Sequence, residues 1–402
     1  MSTAEERQAM GEKASGPMAF IYNEQFRSIV YQLFTFLVVG WLAWYLFSNT
    51  TSNMAARGMN SGFSFLGESA GFDTDFKLIS YEPGDTYGRI FWVGVTNTLF
   101  VSVFSIILTT ILGFMVGVMR LSNNWLVAKL ASAYVEILRN TPLLIQIIFW
   151  YLGVFSLLPR PKQSLDLFGA GLSFLNNRGF YVPWPEPGDL FWMTTVAFFI
   201  GCIAAYFMSR WAHKRQDDTG QQFPTFWAGV GLILGLPLVI FLVTGMPLGW
   251  DIPALKGFNF AGGGRIPPAL LTMMVALTIY HSSYIGEMVR AGIESVHKGQ
   301  TEASNSLGLR ANRTLQLVII PQAMRAIIPP LISTWMNVVK NSSLAVAVGY
   351  PEIVSLFMQT SLNQSGYAIE IVGMTMLFYM VISLSISLGM NYYNKRVQIK
   401  ER

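Results

Sequence analysis

The sequence predicts an all-α integral membrane protein with about eight transmembrane helices. Three observations carry this expectation. Hydrophobic residues make up 52% of the 402-residue chain and charged residues 12%, with mean hydropathy +0.43; a soluble domain carries about twice that charge. Eight apolar runs are long enough to cross a bilayer core, and a helix satisfies its own backbone in lipid. Aromatic residues mark several run ends as an interfacial belt does, among them Trp41 and Trp44, Phe91 and Trp92, Trp150 and Tyr151, and Tyr392 and Tyr393.

The first run, 29–47, follows a polar segment, 1–28. It is longer than a signal-peptide core and has no clear small-x-small site after it, so it reads as a retained anchor, followed by an external stretch to residue 88. The main domain is expected at 89–395, with spans at 93–118, 140–158, 268–289, 327–348 and 367–391, and a tail at 396–402. Span two carries Gly113 and Gly117, a spacing that permits close helix packing. Span three opens on Asn140-Thr141-Pro142, where a side-chain cap followed by proline suits a helix start. An insert, about 159–264, adds spans at 191–209 and 226–244. Pro183, Pro185 and Pro187 around Trp184 make its approach stiff and extended, either a connector or a surface for an external partner.

Lys and Arg orient the chain. With the N-terminus inside, 18 of the 27 basic residues fall on the cytosolic side and eight outside, and Lys340 sits within a span. That bias predicts both termini in the cytosol. The single cysteine, Cys202, excludes a disulfide or a Cys-based metal site, and His213, His281 and His297 lack a metal-ligand spacing. No cofactor, metal or nucleic-acid partner is predicted. There is no G-x-x-x-x-G-K-[ST] phosphate loop and no nucleophile–base pair. An enzyme is therefore not expected, and the chain cannot burn ATP through a P-loop.

The polar stretch from Glu287 to Pro321 lies between two apolar runs, on the cytosolic side by the charge count. Thr301–Leu307 is expected to form a short helix with Gln300 or Thr301 near its cap, Gly308 to take a left-handed C-terminal position, and a second short helix to begin near Ala311. Glu302, Ala303 and Ser304, then Gly308, then Val318, Ile320 and Pro321 resemble the EAA loop of binding-protein-dependent ABC importers. Arg139-Asn140-Thr141-Pro142-Leu143-Leu144-Ile145-Gln146, Glu287-x-x-Arg290-Ala291-Gly292-Ile293 and Lys340-Asn341-Ser342-Ser343-Leu344 extend the resemblance to permease subunits for polar amino acids. Within that group the chain is most similar to the larger permeases of general L-amino acid or glutamate/glutamine/aspartate/asparagine systems.

The resemblance implies an importer-like helical bundle in the inner membrane. Residues about 290–321 would be the coupling loop, with Glu302, Ala303, Ser304, Gly308 and Pro321 facing cytosolic ABC ATPase subunits. A second permease subunit, a related chain or a copy of this one, and a periplasmic solute-binding protein complete the implied set. Common members of the group have about five spans, so span one and the pair in the insert are additions.

Span seven holds an anomaly: Ser333, Asn337, Lys340 and Asn341 share one helical face. A charge in mid-span costs about 2.5–3.5 kcal/mol on insertion scales, so this stripe should face protein or water. Either Lys340 lines a substrate path or it ties to Glu370 near the outer end of span eight. Candidate path residues are Lys340, Asn341, Ser342, Asn337, Gln146 and Glu287; an ion pair of Glu287 with Arg290 explains both without any path. The alternative function is an ion-gradient-driven secondary transporter or channel, using Lys340, Glu287 and His281.

Overall fold

The computed structural model describes residues 24–56 and 61–397. Residues 1–23 of the predicted N-terminal segment, and 398–402 of the tail, lie outside the described residues. Among the described residues, seven helices are long and apolar enough to cross a membrane, or eight if one bent pair is a span. The architecture is helical, as the composition requires, with short strands confined to the insert.

Helix α1 (Glu24–Ala56) contributes nothing to the buried core. Helix α2 (Tyr87–Arg120) starts at Thr86, whose hydroxyl accepts from Arg89 N. Its 34 residues give roughly 51 Å at 1.5 Å per residue, well beyond a hydrocarbon core of about 30 Å. The overhang is used: residues 61–86 fold over it, burying Phe65, Ala70 and Tyr81, and Phe65 stacks on Tyr367 at 4.7 Å.

The expected third span, 140–158, is corrected. The helical stretch begins earlier, as α3 (Trp125–Asn140), and continues as α4 (Leu143–Leu157) after a bend of 104°. Pro142 is the cause. It lacks an N–H and pushes the residue before it out of the helical region, and Thr141 is extended at φ −100, ψ 123. The Asn140-Thr141-Pro142 element is thus a hinge, not a capped start. Thr141 Oγ1 bonds back to Ile137 O at 2.8 Å, and the cap that opens α3 is Asn124. Lys129, Glu136 and Arg139 dilute the hydropathy of α3, which hid it.

The insert holds eight short strands: β1 (Leu165–Asp166), β2 (Phe174–Asn176), β3 (Gly179–Val182), β4 (Trp184–Pro187), β5 (Leu248–Asp251), β6 (Ala254–Lys256), β7 (Asn259–Ala261) and β8 (Gly264–Ile266). They form an antiparallel sheet β1-β2-β3-β8 and two ribbons, β4-β5 and β6-β7. The proline-rich approach is strand β4, paired with only one neighbour, where proline is tolerated. The β4–β5 ribbon clasps the base of a helical hairpin, α5 (Phe191–Thr219) and α6 (Thr225–Val243). These two helices pack chiefly on each other, with Gly201 against the Leu232 carbonyl, and not on the bundle.

Helix α7 (Pro268–Glu294) is the centre of the bundle, with α2 crossing it. A Cβ on Gly113 would lie 2.5 Å from Ile285 Cβ, and one on Gly117 2.6 Å from Val289 Cβ. Small residues let the two backbones approach where lipid supplies no hydrophobic drive. After the short α8 (Lys298–Ser306) comes α9 (Ala311–Val348), then α10 (Val354–Ser361) and α11 (Ala368–Val397). The turn between α9 and α10 is stitched to α2: Asn97 Nδ2 donates to Pro351 O at 2.7 Å, and Tyr350 OH to Asn97 O at 2.9 Å.

Candidate functional site

The loop between α7 and α9 is built by local signals. His297 opens α8, its Nδ1 accepting from Gly299 N at 3.1 Å. The helix thus starts at Lys298, before the expected Thr301, because an imidazole nitrogen serves as cap acceptor in place of Gln300 or Thr301. Gly308 closes it at φ +73, the left-handed conformation expected, with Gly308 N on Asn305 O (2.9 Å) and Leu309 N on Ser304 O (3.1 Å).

The second short helix begins at Ala311 as expected but is not separate. It runs on without interruption into span seven, as Ala311–Val348. The proline expected to end it, Pro321, is absorbed: the widened turn Leu315–Ile319 precedes it, and Pro321 occupies the first positions of the next regular stretch.

The five loop residues divide by exposure. Ser304 is buried, its Oγ donating to Gln300 O at 2.7 Å, and Gln300 Oε1 accepts from Gln322 Nε2 of α9 at 3.2 Å. Glu302, Ala303, Gly308 and Pro321 are exposed, and the Glu302 carboxylate makes no ion pair among the described residues. Leu307, beside them, is 81% exposed. This end of the molecule presents a free carboxylate and an uncovered leucine on a short helix with a rigid stop.

An ion-pair brace joins α2 to α7 ahead of this loop in the chain. Glu287 on α7 binds Arg120 at the end of α2 through one oxygen and Arg290 Nη2 through the other at 2.6 Å; Arg290 also binds Glu294. The Glu287–Arg290 pair is therefore present, and both oxygens of this candidate path residue are committed to cations. Arg120 was missed as a partner; its position at the end of a span on the same side was the available signal.

The remaining path candidates separate. Ser333, Asn337 and Lys340 are exposed along one face of α9. Asn341 Nδ2 lies 3.2 Å from His281 Nε2, and buried Ser342 donates to Val339 O at 2.6 Å. Gln146 is buried at the hinge, its Nε2 donating to Leu138 O and Thr141 O at 3.0 Å each. It splints α3 to α4. The tie from Lys340 to Glu370 does not form: Glu370 accepts from Gly62 N.

Sequence reasoning missed Glu352, between α9 and α10. It is fully buried, accepting from Val354 N (2.9 Å), Ser355 N (2.8 Å) and Tyr379 OH (3.3 Å). A carboxylate just ahead of an apolar run was the cap signal. Burial pushes its carboxyl up to about 8, against the donors that favour the charged form.

Residues 197–399 match the family described as binding-protein-dependent transport system inner membrane component. The chain is also 48% identical over 391 residues to the putative amino-acid ABC transporter permease protein YhdX of Escherichia coli (strain K12), covering 96% of this chain and 98% of that protein. The chain belongs to this permease family. It is a multi-pass membrane component of a transport system, and such a subunit is not itself a catalyst. It is 44% identical to the general L-amino acid transport system permease protein AapQ of Rhizobium johnstonii over 382 residues, 95% of each chain. It is 39% identical to the glutamate/glutamine/aspartate/asparagine transport system permease protein BztB of Rhodobacter capsulatus over 412 residues, 95% of this chain and 96% of that one. Alignments this long run through α1 and the insert, so the three relatives align with this chain over these segments as well.

Proposed function

We propose that this chain is the permease subunit of an ATP-driven importer that moves polar L-amino acids into the cytoplasm, glutamate, glutamine, aspartate and asparagine or a broader range. The names of its full-length relatives support that substrate class. The observation that carries the mechanism is α8 with its Gly308 stop: Glu302, Ala303 and Leu307 lie open while Ser304 is buried and Gln300 ties the helix to Gln322 of α9. In this reading both termini and the α7–α9 loop face the cytosol, and separate ABC ATPase subunits receive α8 in a groove.

Closure of the ATPase pair pushes on α8. The Gln300–Gln322 contact passes the displacement to α9, which is continuous with the span bearing Asn337 and Lys340. The bundle, paired with a second permease subunit, then swings between inward- and outward-open states. A periplasmic solute-binding protein presents the amino acid at the other face.

The test uses the reconstituted complex. Glu302→Arg and Gly308→Asp should leave insertion intact and lower uptake per ATP hydrolysed by an order of magnitude. A Cβ added at Gly308 would meet no atom within 4 Å, and aspartate tolerates the left-handed backbone better than most residues. That substitution therefore burdens the docking face and not the bundle. Normal coupled transport in both variants would refute the docking role. Uptake driven by an ion gradient in vesicles without ATP would favour a secondary transporter instead.

A further inference from the structure

At the rim of the bundle, the end of α4, the β2–β3 turn and the β6–β7 turn enclose a cavity of about 990 Å³. Arg160, Lys162 and Arg178 line it and no carboxylate does. None of these three cations forms an ion pair among the described residues. Lys162 Nζ instead sits 5.1 Å from the centre of the Phe258 ring.

Two helix ends set the depth of this cavity. Leu157, which lines it, is the last residue of α4. Gly179, beside Arg178, packs so closely on the Ile266 carbonyl that a Cβ there would lie 2.5 Å from it, and α7 begins at Pro268. The cavity therefore lies at the boundary between hydrocarbon and water. Leu157 (76% exposed) and Phe258 (79%) add uncovered apolar surface beside the cations. Asn177 also lines the cavity, and its buried Oδ1 has no hydrogen-bond partner.

We propose that this cavity binds the headgroup of an anionic phospholipid. Arg160, Lys162 and Arg178 receive the phosphate, Asn177 Oδ1 accepts from a headgroup hydroxyl such as that of phosphatidylglycerol, and Leu157 and Phe258 border the acyl chains. Cations at a membrane surface attract anionic lipid, and long basic side chains reach headgroup level from a span end. The placement in the outer leaflet rests on the orientation proposed above.

The test is native mass spectrometry of the full chain in nanodiscs holding equal phosphatidylglycerol and phosphatidylcholine. Wild type should retain phosphatidylglycerol several-fold over phosphatidylcholine, and Arg160→Gln and Arg178→Gln should each weaken retention by roughly fivefold. Arg160→Lys, which keeps the charge and guards against a folding defect, should retain it. Equal retention of both lipids, or unchanged retention in the Gln variants, overturns the proposal. So does full displacement by millimolar inorganic phosphate, which marks a free-anion site, or loss of binding to an acidic external protein with lipid retention unchanged. Labelling of Lys162→Cys in a Cys202→Ser background separates the two readings. Reaction from the cytosolic side overturns the orientation and the outer-leaflet placement, whereas the lipid measurement alone decides the site.

Discussion

Lys340 is the residue whose position most needs a reason. It lies on an exposed face of α9, in line with Ser333 and Asn337, and makes no ion pair among the described residues. A lone ammonium facing lipid there would cost about 2.5–3.5 kcal/mol, so a partner helix or a wet path must cover it in the assembled transporter. Lys340→Met should insert normally and lower amino-acid uptake at least tenfold while ATP hydrolysis persists; wild-type uptake would remove Lys340 from the path. Glu352 makes a separate prediction. Its folded pKa, about 8, stands above the ordinary carboxyl value of 4.5. Its contribution to stability is therefore full below about 4.5 and is lost as pH rises through about 8. The thermal midpoint of the wild type should fall between about pH 5 and pH 9, and Glu352→Gln should flatten that slope. Equal slopes would show that another group governs it. At this scale the residue types and the near partners were legible in the sequence, but the distant partners were not. Glu287 showed its i,i+3 neighbour Arg290, while Arg120, far away in sequence, came to it only through the α2–α7 crossing.

Among the elements, the α2–α7 contact decides whether the bundle closes. An interhelical hydrogen bond, such as Trp335 Nε1 to Thr110 Oγ1 at 3.0 Å, contributes about 0.6 kcal/mol on average in membranes. Overpacking a close contact costs about 1–3 kcal/mol or more. Gly113→Leu, driven into Ile285, should therefore lower the thermal midpoint and the yield of folded chain far more than Thr110→Val. A neutral Gly113→Leu would mean that the helices do not meet at this glycine. The hinge at Pro142 teaches a different lesson. The motif Asn140-Thr141-Pro142 marked a helix boundary correctly, but a proline both follows a helix and precedes one, and local sequence does not say which side is ordered. The charges of α3 concealed its helix from a hydropathy reading. Conversely, Gly308 was readable in advance, because a left-handed stop depends on one residue and its immediate neighbours.

For the molecule as a whole, the central prediction is the sidedness of the α7–α9 loop. Single thiols introduced between 290 and 320, in a Cys202→Ser background, should react with an impermeant reagent only from the cytosolic side of oriented vesicles. Reaction from the opposite side would leave no place for an ATPase and would end the coupling proposal. The sequence by itself determined the membrane class, the spans other than the bent one, the charge asymmetry and the Gly308-terminated loop, because these depend on composition and on residues close together in the chain. Only the tertiary structure decided that α3 and α4 meet at 104°, that Gln146 splints them, that α8 feeds one unbroken helix carrying Lys340, and that three cations of the insert gather at the rim of the bundle. The gathered cations come from distant positions that no local propensity connects. The bend, the splint and the unbroken helix use residues close in sequence, but a local signal such as Pro142 permits more than one backbone path, and packing on α7 selects among them.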